Sequence, residues 1–230
     1  MRKGLVEQGI DRMLDGISSG DFTYGEALPP EAELAAYLDV SRPTMREVIR
    51  VLADRGVVRV VHGRGTYLAD RGEWNDMATL VQVVSRSMSP REVGEYLVEI
   101  CRMIEVGSCG HATRRATAED LAEMKRQLER YEKASAAGEA ETCTEADLAF
   151  HWQIFRATSN PFLTAIMRPL DEALAESREK TSAVPEIRER AIRHHRRIYE
   201  AMVAGDEEGA KNAMRAHMCQ TRADIVAHLD

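Results

Sequence analysis

Asp147 and His151 stand four residues apart in EADLAFHWQIF, so on a helix both side chains leave the same face. Two more histidines lie further along at helical positions. His195 shares an apolar stripe with Ala191, Ile198, Tyr199 and Met202, and His217 shares one with Ala210, Ala213, Met214 and Met218. Three imidazoles and one carboxylate pointing into a helical core suit a divalent transition metal. That donor set matches zinc, nickel, manganese or iron and leaves positions open for water or a ligand. A histidine on an apolar face is more often a hydrogen-bonded core residue, and spacing alone leaves both readings open. His194 competes with His195, although its face, with Ile187, Arg190 and Arg197, is more polar. His111 and His228 read as surface or core residues rather than ligands.

A second group with chemistry lies near the start. SRPTMREVIR places Arg42, Arg46 and Arg50 on one face of one helix, with Thr44 among them. Ser41 stands where it caps that helix and Pro43 sits in its first turn, where a missing N–H costs nothing. Met45, Val48, Ile49 and Leu52 form the face to be buried. Such a helix fits the major groove of B-DNA, where arginine reads guanine and Thr44 meets a phosphate or a thymine methyl. Glu33–Leu38 supplies the supporting helix and Asp39-Val40 the turn. Val57–Val61 and Thr66–Ala69 flank His62-Gly63-Arg64-Gly65 as a two-stranded wing. The whole chain carries a net charge of −7, yet residues 41–66 hold six arginines (42, 46, 50, 55, 59, 64) against Glu47 and Asp54, a net of +4. A basic patch on an acidic body confines DNA to one surface.

These residues need elements to position them. At 230 residues and 44% hydrophobic content the chain can bury a sizeable core. No long apolar run reads as a membrane span, and nothing behind the initial Met-Arg-Lys reads as a secretory signal. The four cysteines form no C-x-x-C pattern, so reduced thiols in a cytoplasmic protein are expected. Aromatic content of 5% argues against single-strand or RNA binding, which needs stacking platforms. Apolar periodicity, caps and breakers predict helices over 5–19, 76–87, 90–115, 118–136, 141–158, 160–180, 185–204 and 207–228. Phe22–Leu28 reads as a loop, 70–75 as a hinge and 134–140 as a fraying helix end. The expected architecture is an N-terminal winged helix-turn-helix (α+β) over 1–70, then an all-α helical bundle over 76–230.

Together these blocks resemble the GntR family of bacterial transcription regulators, in its FadR-type branch with an all-helical (FCD) effector domain. LPPEAELAAYLDVSRPTMREVIRVLADRGVV is similar to the family's winged helix and HGRGTYL to its wing. EADLAFHWQIFRATSNPFL and HRRIYEAMVAGDEEGAKNAMRAHM are similar to the effector domain's two signature stretches. The resemblance selects His195 over His194, because in the family the histidine precedes the I-x-x-A-[IM]-x-x-G-D run. It implies Asp147, His151, His195 and His217 as ligands of a divalent transition metal, zinc first. It implies DNA contacts at Arg42, Thr44, Arg46, His62 and Gly63, and Ser41, Arg50, Arg64 and Gly65 complete the candidate set.

Beyond the site residues, the resemblance implies a homodimer on a short palindromic double-stranded DNA operator, with no membrane partner. A small organic or sugar acid is the implied effector, its carboxylate bound at the metal site, with Arg102 and Asn160 as further candidates. Two departures stand out. Pro30-Glu31-Ala32 replaces the family's Ser-Glu-Arg, which removes an arginine that often contacts DNA. Cys101-Arg102-Met103-Ile104-Glu105 replaces R-x-x-L-E, and Arg102 lies about 100° around the helix from the arginine position, better placed for a surface ion pair. Two alternatives stay open: a metal-dependent enzyme fused to a DNA-binding domain, with Glu105 or Glu145 nearest to a general base, and a regulator whose metal is purely structural.

Overall fold

The computed structural model describes residues 4–229, which divide into two compact units, one running to Met88 and one from Ser89. The first unit opens with helix α1 (Leu5–Ser19), which buries Ile10, Met13, Leu14 and Ile17 at the spacing of a single helix face. Gly20 at φ 84 ends it in the left-handed conformation. Helices α2 (Glu31–Tyr37) and α3 (Arg42–Asp54) follow, and Asp39 between them takes φ 51. Ser41 caps α3 as expected, its Oγ accepting from the Thr44 backbone N–H at 3.2 Å. Burial of Met45, Val48, Ile49 and Leu52 fixes which face of α3 points inward. Each contributes roughly 1.5–3 kcal/mol of hydrophobic stabilisation.

Strands β1 (Val58–Val61) and β2 (Gly65–Leu68) form the antiparallel wing, Val58 opposite Leu68 and Val61 opposite Gly65. The segment expected as a plain loop before α2 runs along β2. Leu28 N–H donates to the Thr66 carbonyl at 2.7 Å and Leu68 N–H to the Glu26 carbonyl at 3.0 Å. The wing thereby gains a partner on an edge that would otherwise be unpaired.

Residues 70–75, expected as a hinge, are fastened to this unit. A 3₁₀ turn spans Arg71–Glu73, the Trp74 indole N–H donates to the Ala69 carbonyl at 3.2 Å, and Asn75 N–H donates to the Arg55 carbonyl at 3.1 Å. Helix α4 (Met77–Arg86), expected to open the second domain, instead packs with α1. Val83 joins the same core, Ser18 Oγ donates to the Val83 carbonyl at 3.3 Å, and Arg86 pairs with Asp15 at 2.7 Å.

The second unit is wholly helical among the described residues: α5 (Pro90–Arg115), α6 (Ala118–Ala137), α7 (Ala140–Ala157), α8 (Pro161–Met167), α9 (Asp171–Ser182), α10 (Pro185–Val203) and α11 (Glu207–His228). Reciprocal capping boxes at Ser89/Glu92 and Thr117/Asp120 open α5 and α6. Gly138 at φ 75 closes α6, so this end is a formed cap rather than a fray. The single helix expected over 160–180 is two. Pro169 has no N–H to give and its ring crowds the preceding turn, so the chain passes through a 3₁₀ turn at Arg168–Leu170. Helix α7 lies against α5, α6, α8 and α9, with Phe150 and Ile154 fully buried. Among the described residues no helix is long and apolar enough to cross a membrane.

Gly56, at φ 73, sits where an added Cβ would meet the backbone of Glu73, Trp74 and Asn75 at 3.0–3.3 Å. Gly56→Ala is expected to cost about 1–3 kcal/mol, read as a lowered urea midpoint; an unchanged midpoint contradicts the contact.

Candidate metal centre and nucleic-acid interface

Every side chain of the helical unit's polar centre comes from a different turn of its core. Helix α7 supplies Asp147 and His151, α10 supplies His195, α11 supplies His217, α5 supplies Glu105 and α9 supplies Arg178. His217 Nε2 lies 3.3 Å from both His195 Nε2 and His151 Nε2, and one nitrogen from each ring falls within 4.8 Å of the others. Asp147 Oδ1 lies 3.4 Å from His195 Nε2, and Asp147 Oδ2 lies 2.7 Å from Arg178 Nε. Exposure of Asp147 and the three histidines runs from 0% to 3%.

The rings are held from outside. Glu105, itself buried, accepts from His151 Nδ1, which leaves His151 Nε2 as a lone pair aimed at the centre. Phe150 stacks on His195 at 4.5 Å between centroids, and Tyr131 meets the same ring edge-on at 5.7 Å. His195 Nδ1 is buried without a hydrogen-bond partner. Burial pushes the His195 imidazole down to about 3 and drives His217 well below its ordinary range, so both stay neutral, the form that binds a metal. Burial is the largest influence on Asp147 and works against its charged form; the Arg178 guanidinium, with smaller contributions from His151 and His195, still brings the carboxyl below its usual value. Three converging imidazoles beside a carboxylate fit a divalent transition cation.

The structure brings Asp147, His151, His195 and His217 together, but not Arg102 or Asn160. Asn160 is exposed and its side chain accepts from the Phe162 N–H at 3.1 Å, capping α8. Arg102 is exposed, has no ion-pair partner among the described residues, and lines a separate cleft of about 730 Å³ with Arg215 and Arg222. His194, one residue from His195, borders the small cavity beside the site, and its Nδ1 is buried without a partner. His111 and His228 are exposed. Sequence reasoning missed Arg178, whose segment DEALAESREK carries no signal of burial, and gave Glu105 no part in holding His151.

In the first unit the candidate DNA-facing residues lie outward. Ser41, Arg42, Arg46, Arg50, His62, Gly63, Arg64 and Gly65 are exposed and Thr44 is half-buried. Ser41 Oγ is also 2.8 Å from Thr44 Oγ1, so the cap occupies both hydroxyls. Arg46 pairs with Glu31 of α2 at 3.1 Å, and Arg50 with Glu47 at 2.9 Å. These pairs are exposed and weak, and phosphate can replace their carboxylates. Gly63 at φ 73 and Gly65 at φ 113 turn the wing tip.

Residues 5–68 match the family described as bacterial regulatory proteins, gntR family, and residues 96–220 match the FCD domain. The HTH-type transcriptional regulator LutR of Bacillus subtilis (strain 168) is 28% identical over 208 residues, covering 88% of this chain and 92% of that protein. The galactonate operon transcriptional repressor of Escherichia coli (strain K12) is 27% identical over 200 residues, covering 86% of each. Among solved structures, Lar, which controls expression of the Listeria monocytogenes agr system, superposes with a TM-score of 0.64 at 21% identity, covering 99% of both chains. Streptococcus agalactiae GntR superposes with a TM-score of 0.53 at 24% identity, covering 95% of this chain and 99% of that one.

Because burial lowers the His195 value from 6.5 to about 3, the unfolded chain takes up a proton there before the folded one does. The stability this gives is complete above the unfolded value of 6.5 and declines as pH falls toward 3. His217 acts in the same direction. The slope is at most about 1.4 kcal/mol per pH unit per histidine. The melting temperature of the metal-free protein is therefore expected to drop between about pH 7 and about pH 5, and to drop less in His195→Asn; a flat wild-type profile contradicts it.

Proposed function

The chain belongs to the bacterial regulatory proteins of the gntR family, in the branch that carries an FCD domain, and from that premise we propose a ligand-responsive regulator whose effector is a small organic or sugar acid bound at a metal site. The observation that carries the effector half is the convergence of His151, His195, His217 and Asp147. A divalent transition metal held by those four residues, zinc first and nickel, manganese or iron next, would supply a Lewis-acidic point for an acid's carboxylate and hydroxyl or keto oxygen. Glu105 orients His151, and Phe150 and Tyr131 fix the plane of His195. The relative named for the galactonate operon supports a sugar acid or hydroxy acid as the effector class.

On the DNA side, Arg42, Thr44 and Arg46 are the base readers. Arg50, Ser41 and the wing from His62 to Gly65 meet the backbone and the neighbouring groove. The regulator acts in the cytoplasm as a homodimer, its two recognition helices on the half-sites of a short palindrome. Coupling runs through α5. It starts at the junction between the units, caps itself there with Ser89, and carries Glu105 to the histidines. Residues 70–75 cannot serve as the hinge because they are fastened to the first unit. The switch works to the extent that the acid prefers one arrangement of the bundle over the other.

A second reading, a metal that only staples the bundle, is favoured by the tightness of the site, whose adjoining cavity holds about 20 Å³. Elemental analysis with thermal-shift scans against organic acids, with and without chelator, separates the two. Near one metal per chain, and an acid that raises the melting temperature only in the metal form, supports the effector site. Chelation that unfolds the domain while no acid responds supports the staple.

Two substitutions complete the test. His195→Ala with His217→Ala is expected to lose metal on dialysis, and stoichiometric retention refutes the ligand set. Arg46→Ala is expected to weaken operator binding by roughly 1–3 kcal/mol; wild-type protein that binds operator and scrambled DNA equally rejects specific reading.

A further inference from the structure

Arg178 is not one of the candidate ligands, and its contact with Asp147 uses only part of its guanidinium. Its side chain is 12% exposed, and its Nε stands 2.7 Å from Asp147 Oδ2. Neither of those two atoms makes a directed hydrogen bond. A guanidinium offers several N–H donors in a rigid fork matched to carboxylate. Among the described residues Asp147 is the single ion-pair partner of Arg178. Burying such a group with donors left over is costly unless an anion uses them.

Asp147 faces two ways, with Oδ1 toward His195 and Oδ2 toward Arg178. Formal charges sharpen the point. Asp147 and Glu105 contribute two negative charges and Arg178 one positive, and an imidazole that ligates a metal does so in its neutral form. A divalent cation among the histidines turns the cluster net positive by one charge, and a single further carboxylate neutralises it. Helix α5 gives this cluster no cation of its own: Cys101 and Glu105 are its buried residues here, and Arg102 lies outside. The adjoining cavity, lined by Tyr131, Asp147, Arg178, His194, His217 and Gln220 among others, holds about 20 Å³, room for one water. An acid enters only where Arg178 exchanges part of its contact with Asp147 for the incoming carboxylate.

We propose that Arg178 is the carboxylate anchor of this chain's effector site, a cation brought from α9 to hold one carboxylate group of a monocarboxylic acid in a forked pair. The inference rests on the metal-anchored effector site proposed above. The trade keeps the guanidinium paired throughout, with one carboxylate giving way to another, and it leaves Asp147 to face the histidines.

The test uses the full chain loaded with zinc, as wild type, Arg178→Gln and Arg178→Lys. Glycolate, L-lactate and D-galactonate are titrated by calorimetry while zinc content is measured in parallel. Zinc at the wild-type level in both variants is expected, with acid binding weakened ~10- to 100-fold in Arg178→Gln. Arg178→Lys falls between, since it keeps the charge and loses the fork. Wild-type affinity in Arg178→Gln overturns the anchor, and so does joint loss of zinc and acid, which makes Arg178 a support of the metal site. Where Arg178→Gln does not fold, the Nε–H resonance of Arg178 in ¹⁵N-arginine-labelled wild type, identified by its absence from Arg178→Lys, decides. Movement on adding the acid that binds supports the anchor and a fixed signal overturns it. Zinc-loaded wild type that binds none of the three acids overturns the effector site itself. That outcome is distinct from wild type binding an acid that Arg178→Gln binds equally well.

Discussion

A polar cluster in the middle of a helical bundle has to satisfy itself, and that constraint organises the second unit. Three imidazoles, two carboxylates and a guanidinium meet in the core of the bundle, supplied by five different helices. Leaving such groups unpaired costs more than pairing them gains. The groups that hold the candidate ligands are therefore as defined as the ligands: Glu105 on His151, Arg178 on Asp147, Phe150 and Tyr131 against His195. Among the described residues His195 Nδ1 has no hydrogen-bond partner, and Arg178 meets Asp147 as an ion pair without a directed hydrogen bond.

The first unit solves the opposite problem. Its function needs charge at the surface, so the arginines of α3 are carried on a helix whose other face is anchored by Met45, Val48, Ile49 and Leu52. Glu31 and Glu47 occupy the arginines meanwhile, in exposed pairs that salt screens and phosphate displaces. The strand-like segment before α2, the 3₁₀ turn and α4 are all fastened to this unit. They brace the wing and the recognition helix so that both keep their orientation.

Connectivity links the two problems. The chain leaves the first unit only after α4, and the next helix, α5, both begins at that junction and reaches the histidines through Glu105. A shift of Glu105 with ligand would thus act on the same rigid element that follows the DNA-binding unit.

Helices, caps and the wing were legible because they depend on neighbours in sequence. Ser41 on Thr44, Ser89 with Glu92 and Gly138 after α6 are interactions within a few residues, and apolar periodicity tells each helix which face to bury. The pairing of Asp147 with His151 was legible for the same reason. Pro169 is a local signal too, and the helix expected over 160–180 divides there. What α4 packs on, and hence where the units part, was not legible, because its apolar face fits either domain until Val83 meets α1.

Arg178 and Glu105 show the remaining limit. Their helices give no sign that a charge is to be buried, since burial is decided by partners 31 and 46 residues away in sequence, Asp147 and His151. The sequence by itself determined the elements, the arginine face and the candidate ligands, all set by short-range chemistry. Only the tertiary structure decided which charges oppose each other in the core, because that depends on helix packing, and packing is a property of the whole bundle.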